Sequence, residues 1–209
     1  MEDDWGTALQ HFEESLGLAR EVGDQTLIVT ATHVLAIAYT ELGDRERART
    51  LDEDNLPRIR ELHNEQLEAT TLDTLAGYAI DDGRPEDAVS LAMASLRLYR
   101  DVGDPHGIAI ELCRCACALA LKGEAETATW LISSSKTLRQ TEIGGTMPWV
   151  ERIEERALTT IREQLDERAF AEAWEQGSAL TADEAVTLAL DSIGDDAPGT
   201  TTGSRSHGV

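Results

Sequence analysis

Apolar residues recur along the chain at three- and four-residue steps, in segments that are separated by short polar turns. Leu27, Ala31, Val34, Ala38 and Leu42 show this spacing, which is typical of one face of an amphipathic helix. Glycine marks the end of most segments, and an acidic residue or proline often follows it. The predicted turns lie near residues 23, 43, 63, 83, 103, 123 and 144. The pattern predicts an all-α chain.

The predicted helices fall into two alternating classes that repeat every 40 residues. Ala36, Ala76 and Ala116 mark the first class, and in the second class Ala48, Ala88 and Ala128 each follow twelve residues later. Because a helix pair cannot bury its apolar face alone, neighbouring pairs are expected to stack into a solenoid. We predict about four helical pairs over residues 1–193, the first pair incomplete, and a disordered tail over 194–209, which is rich in Gly, Asp, Thr and Ser.

Two residues depart from this repeat pattern. His63 stands where glycine is expected, so the neighbouring Asn64 is predicted to supply the left-handed conformation of that turn. Pro57 falls inside the predicted helix between the turns at 43 and 63, where it is expected to kink or split the helix.

The paired alanines and the Gly-Asp turns resemble the tetratricopeptide repeat in a longer form of 40 residues. Tyr39 fills the family's tyrosine position in one repeat only, and the tryptophan position is not kept. HEAT repeats have a similar period and are the alternative fold. The resemblance implies a helical-hairpin solenoid that binds protein or peptide segments.

A second resemblance lies toward the C-terminus, in the stretch from Trp149 to Arg152, the motif Phe170-x3-Trp174-x2-Gly177 and the stretch from Leu180 to Val186. It is similar to the closing segment of the helical-repeat arms of large bacterial signal-transduction ATPases and LuxR-type regulators. In such proteins the arm senses a ligand or partner, while other domains bind nucleotide and DNA. The sequence has no phosphate-loop motif, so we expect a piece or a remnant of a larger regulator.

The net charge of the chain limits the classes of partner that it can bind. The chain has 18 Lys+Arg against 40 Asp+Glu and a formal charge of −22, which disfavours direct binding to nucleic acid or to an anionic membrane. The N-terminus shows no secretory signal, and the three cysteines are too closely spaced for a disulfide framework. We therefore expect a cytoplasmic protein without a cofactor.

Catalytic and metal-binding signals are weak. Cys113 and Cys117 would share a helical face while Cys115 points away, so small buried thiols are favoured over a zinc site. The run Asp52-Glu53-Asp54 lacks the spacing of a calcium loop. No histidine belongs to a recognisable nucleophile motif. The sequence predicts a non-catalytic binding scaffold.

In tetratricopeptide arrays the first-class helices line the concave surface. Counting from the repeated alanines, the inward positions are Thr30, His33, Ile37, Glu41, Thr70, Asp73, Gly77, Asp81, Ile110, Cys113, Cys117 and Leu121. This row favours a segment with a cationic group near Glu41, Asp73 and Asp81 and an apolar anchor near Ile110 and Cys117. A small-molecule sensor arm is the alternative, and it would require a closed apolar pocket.

The first helix lacks the first-class helix that would normally precede it. Ala8, Leu9, Phe12 and Leu16 are therefore expected to form an apolar edge through which the chain associates weakly with itself.

Overall fold

Ten α-helices make up the fold of the part of the chain that the computed structural model describes, residues 2–145 and 147–192. The expected tail, 194–209, lies outside the described residues. The helices are α1 (Glu2–Val22), α2 (Gln25–Glu41), α3 (Arg45–Glu61), α4 (Glu65–Asp81), α5 (Pro85–Val102), α6 (Pro105–Lys122), α7 (Ala125–Leu138), α8 (Pro148–Arg162), α9 (Glu167–Ser178) and α10 (Ala182–Asp191).

The helices pack as sequential hairpins. Each of α1 to α7 lies against the next helix in the chain, and α4 also contacts α6. The repeated alanines Ala36, Ala76 and Ala116 are fully buried, as are Ala48 and its equivalents. Small side chains at these positions let the helix backbones approach closely. The all-α fold predicted from the sequence is confirmed as a tetratricopeptide-like solenoid.

The turns follow from local backbone chemistry. Gly23, Gly43, Gly83, Gly103, Gly123 and Gly144 all have positive φ, which glycine adopts without steric cost. The turn at 63 differs from our expectation, because His63 itself is left-handed, with φ 52°. Asn64 instead caps α4, and its side-chain oxygen accepts a hydrogen bond of 3.1 Å from the amide of Leu67.

A repeated polar clasp joins each second-class helix to the first-class helix before it. Asn55 Nδ2 donates to the carbonyl of Val29 at 2.8 Å. Ser95 Oγ donates to the carbonyl of Ala69 at 2.9 Å, and Ser135 Oγ donates to that of Ala109 at 2.6 Å. Each clasp spans 26 residues and is buried, so it fixes the same register of α3 on α2, α5 on α4 and α7 on α6.

Helix α3 runs from Arg45 to Glu61 without a break, although Pro57 lies inside it. The expectation that proline would split this helix is wrong. Proline removes one helical hydrogen bond, that to the carbonyl four residues earlier, Glu53. Glu53 and Pro57 are both exposed, so water can satisfy the carbonyl that loses its amide donor.

The regular repeat changes after α7. A π-helical turn, Arg139–Ile143, extends α7, and α8 then packs against α6 and α7. Helix α9 lies on α7 at Gly177, where a Cβ atom would meet the carbonyl oxygen of Trp130 at 2.4 Å. Helix α10 contacts α5, α6 and α7, and Thr181 and Glu184 form a capping box at its start. The closing helices therefore cover the end of the array.

Candidate functional site

The concave side of the array holds a cavity of about 540 Å³ between α2, α4, α6 and α8. Its lining combines charged, polar and apolar side chains of the first-class helices and α8 with Arg45 at the start of α3. The lining residues are Ile37, Thr40, Glu41, Arg45, Thr70, Asp73, Thr74, Gly77, Tyr78, Ile80, Asp81, Arg114, Cys117, Trp149, Arg152, Ile153 and Arg156.

The structure brings seven of the twelve predicted groove positions to this cavity. They are Ile37, Glu41, Thr70, Asp73, Gly77, Asp81 and Cys117. Thr30 is exposed and lines a different pocket near α1, and Leu121 is half-buried outside the cavity lining. His33, Ile110 and Cys113 are buried in the packing between helices.

Asp73 is held in an ion pair at the inner wall of the cavity. Arg114 Nε lies 2.7 Å from Asp73 Oδ1, and Arg114 Nη2 lies 3.2 Å from Oδ2. Both side chains are close to nine-tenths buried. Two parallel charge-assisted hydrogen bonds in such a place are among the stronger polar contacts in proteins, so Asp73 has little capacity left for a ligand.

Glu111 lies beneath this pair and is fully buried. Ser95 Oγ, whose proton is donated to the carbonyl of Ala69, lies 2.8 Å from Glu111 Oε2. Burial raises the pKa of the Glu111 carboxyl well above its ordinary value, and the carboxylate of Asp73 raises it further. Both effects favour the protonated form of Glu111, and the positive charge of Arg114 is matched by Asp73.

Asp81 is also paired, at the rim of the cavity. It accepts a hydrogen bond from Arg156 Nη1 and lies 2.8 Å from Arg45 Nη1. Arg156 Nη2 also donates to the carbonyl of Ile80 at 2.9 Å. Arg156 thus ties α8 to the end of α4, and Asp81 holds α8 over the concave surface.

Two charges in the cavity remain without a partner in the part of the chain that the structure describes. Glu41, at the end of α2, makes no ion pair or side-chain hydrogen bond there, and neither does Arg152 on α8. Both side chains are exposed. Trp149 and Ile153, on α8, and Ile37, on α2, add apolar surface. The cavity has four arginines against three carboxylates, although the chain as a whole is strongly acidic.

His33 lies in a separate buried cluster below α2. Its Nδ1 is 2.9 Å from Asp52 Oδ1 and 3.4 Å from Thr71 Oγ1. Burial raises the pKa of Asp52, while the hydrogen bond with His33 opposes that rise. Because His33 is 3% exposed and Asp52 is fully buried, this cluster cannot contact a ligand in the cavity.

The three cysteines are reduced and buried. Burial raises the pKa of Cys113 to about 12 and raises the pKa of Cys115 well above the usual thiol range. Cys117 borders the cavity but is only 2% exposed. These thiols act as small apolar groups, since the reactive form is the thiolate.

Sequence reasoning placed none of the four arginines of the cavity in the groove. Arg114 was visible as a lone cation within the apolar run from Ile108 to Leu121, a signal for a buried partner. Trp149 and Arg152 lie in a stretch that the C-terminal resemblance singled out but did not place on the concave side. Only the packing of α8 brings them there.

The described residues form neither a metal site nor a membrane-spanning helix. No group of three or more His, Cys, Asp or Glu side chains in 2–145 and 147–192 is placed to hold a metal ion. Among the helices that the structure describes, none combines the length and the apolar character needed to cross a bilayer.

Comparison with known families identifies the repeat type. Residues 27–101 match the family model described as Tetratricopeptide repeat, a range that extends from α2 to the end of α5. This match agrees with the sequential helical hairpins of α2 to α5 and favours the tetratricopeptide repeat over the HEAT alternative for that part of the chain. Repeats of this type generally act as protein–protein interaction scaffolds and are typically non-catalytic. No curated protein matches the chain.

Proposed function

We propose that the concave cavity between α2, α4, α6 and α8 binds an extended segment of a partner protein. The observation that carries this proposal is that Glu41 and Arg152 have no ion-pair partner among the described residues, whereas every other charged side chain of the cavity has one. An extended segment presents side chains of both signs along its length, so it can meet both charges at once. The apolar side chains of Ile37, Trp149 and Ile153 would hold an apolar residue between them.

A cationic group of the ligand is expected to bind Glu41, as the sequence suggested, but not Asp73 or Asp81. Those two carboxylates already have arginine partners, and a ligand cation would have to displace a guanidinium from a desolvated pair. Arg152 adds a preference for an acidic side chain that the sequence did not suggest. The preferred segment therefore has a basic residue, an apolar residue and an acidic residue.

A peptide array tests this preference. Twelve-residue peptides that carry the basic, apolar and acidic residues in varied order would be compared with matched peptides in which the charged residues are Gln and Asn. The best binder would then be titrated by fluorescence polarisation against Glu41→Arg and Arg152→Glu. We expect each change to weaken binding roughly ten-fold, the effect of reversing one interfacial charge contact.

Two matched controls lie outside the cavity. Glu53→Arg on α3 and Arg97→Glu on α5 reverse charges at exposed positions that do not line it. Equal weakening by the controls would reduce the effect to the bulk charge of the chain. The proposal fails if the cavity variants bind the peptide as tightly as the wild type.

A small-molecule ligand is the second candidate, and the size of the cavity favours it. A volume of about 540 Å³ falls within the range of ordinary ligand pockets, and α8 covers part of the concave surface. Thermal-shift screening with zwitterionic metabolites would separate the two candidates. A stabilising compound that loses its effect in both Glu41→Arg and Arg152→Glu would replace the peptide proposal.

We also propose that the chain serves as the interaction arm of a larger bacterial regulator. The support for this setting is the resemblance of the closing helices around Phe170, Trp174 and Gly177. The adjoining genomic reading frame is the test. A phosphate-loop or helix-turn-helix domain encoded in frame with this chain is expected, and isolated open reading frames in several genomes would remove the regulator proposal.

A further inference from the structure

The outer face of α1 and α2 carries the residues that pack against a preceding helix in the later repeats, but none of the described helices covers it. Ser15 on α1 lies 40 residues before Asn55, which is the step that separates Asn55 from Ser95 and Ser95 from Ser135. The three later residues donate to a first-class helix and are buried. Ser15 is exposed, and its hydroxyl has no hydrogen-bond partner in the described residues.

The residues around Ser15 show the same contrast. Asp52, Ala92 and Ile132, the later equivalents of Phe12, are fully buried, whereas Phe12 is half-buried. Ala8 is also half-buried, although its later equivalents are fully buried. The later positions are covered by the first-class helix that precedes them, and α1 has no such neighbour in the structure.

This face is an apolar pocket of about 360 Å³ that runs along the groove between α1 and α2. Its most exposed apolar side chains are Leu18 at 55%, Val22 at 75% and Leu27 at 52%. The edge expected from Ala8, Leu9, Phe12 and Leu16 is therefore shifted toward the α1–α2 turn, and Leu16 is buried. Exposed apolar side chains that lie together in a groove mark an interaction surface.

The internal repeats specify the kind of helix that fits. The helix on the equivalent face of α5 presents Ala69, Leu72 and Ala76, and the one on α7 presents Ala109, Leu112 and Ala116. All six are 0–2% exposed. Small residues seven positions apart let the two backbones approach, and the carbonyl of the first small residue accepts the clasp hydrogen bond.

We propose that this outer face of α1 and α2 is a docking site for an amphipathic helix with the motif small-x2-Leu-x3-Ala. That helix is supplied from outside residues 2–192. Ser15 Oγ donates to the carbonyl of the first small residue, and Leu18, Val22 and Leu27 cover its apolar side. A second folded copy of this chain does not offer such a helix, because its own motifs are buried inside the array. This site is separate from the concave cavity, and its test is independent of the proposed function.

The probe is a fluorescein-labelled peptide of residues 105–122, which carries the motif, with Cys113→Ala, Cys115→Ala and Cys117→Ala. Its fluorescence anisotropy would be titrated with the full chain. We expect saturable binding, a loss of about five-fold in affinity in Ser15→Ala, which removes one neutral hydrogen bond, and no measurable binding in Leu18→Glu. A matched peptide with Ala109→Phe and Ala116→Phe should not bind, because bulky residues prevent close approach.

Met147→Glu is the control variant, since it places the same charge at an exposed apolar residue away from this face and should bind the peptide as the wild type does. Circular dichroism of all variants would verify that they are folded. The proposal is overturned if the peptide does not bind, or if it binds Leu18→Glu as well as the wild type. It is also overturned if light scattering shows a wild-type dimer that Leu18→Glu dissociates, since a second copy would then cover the face.

Discussion

Two neighbouring layers of the solenoid bury polar groups in different ways. In the first layer His33 on α2, Asp52 on α3 and Thr71 on α4 form one cluster. In the second layer Asp73, Glu111 and Ser95 gather around Arg114. The clusters occupy related positions, because Asp73 and Glu111 lie 40 residues after His33 and Thr71.

The difference lies in how the charge is matched. The first cluster leaves His33 Nε2 and Asp52 Oδ2 buried without a hydrogen bond. In the second cluster both oxygens of Asp73 accept from the permanently charged Arg114, and only Glu111 Oε1 lacks a partner. An unmatched buried polar atom costs stability, whereas a matched pair is costly mainly when one partner is removed. Only the second layer borders the cavity, so its charge balance also sets which charges a ligand meets.

The largest expected effect is that of Arg114→Met. Methionine preserves much of the side-chain volume but leaves the carboxylate of Asp73 buried without its counter-charge. We expect a loss of about 3–5 kcal/mol in the free energy of unfolding. Urea denaturation is the measurement, with Arg97→Met as the exposed control. A loss below about 1 kcal/mol would mean that water reaches Asp73 freely.

Substitutions in the first layer are expected to reduce stability less, because its polar groups are only partly satisfied by hydrogen bonds. Asp52→Ala removes the acceptor of His33 Nδ1 and should cost about 1–3 kcal/mol. The double variant His33→Leu/Asp52→Ala removes both polar groups and should recover most of that loss, since an apolar replacement of a buried polar pair is often neutral. Additive losses in the double variant would contradict a direct coupling between the two side chains.

Glu111→Gln tests the pH dependence of the second layer. The raised pKa means that the folded state holds a proton that the unfolded chain releases in the ordinary carboxyl range. This contribution to stability is complete below the unfolded pKa and is lost as the pH rises toward the folded pKa. Between the two, stability should fall by about 1.4 kcal/mol per pH unit for this one proton.

Glutamine is neutral at every pH, so the variant should lack this component of the slope above the ordinary carboxyl range. Denaturation curves at pH values above that range provide the measurement. Asp52 contributes a slope of the same sign, because burial also raises its pKa. Parallel slopes in the wild type and in Glu111→Gln would show that Glu111 is ionised in the folded protein.

The smallest expected effect is that of salt, which acts on the surface charges and leaves the two buried clusters unchanged. The formal charge of −22 produces self-repulsion, which salt screens over about 10 Å at 0.1 M. The melting temperature should rise by a few degrees between 10 mM and 150 mM sodium chloride, while the loss caused by Arg114→Met stays constant. A loss that shrinks with salt would place the Asp73–Arg114 pair in contact with solvent.

The amino-acid sequence determined the local structure and the repeat. The positive φ of Gly23 or Gly103 follows from the residue type, and the Thr181–Glu184 capping box follows from two side chains three positions apart. The 40-residue period identified the two helix classes and the rows of positions that share a face. Each of these features follows from residue types and their spacing along the chain, without reference to how the helices pack.

The tertiary structure decided which of those positions are available. Asp73 and Cys113 belong to the predicted concave row, yet one is paired with Arg114 and the other is buried. Arg156 reaches Asp81 from 75 residues further along the chain, and that contact depends on how α8 packs on α6. Helical periodicity specifies a direction around each helix axis but not what another helix places there, so charge matching and burial emerge only when the helices are packed.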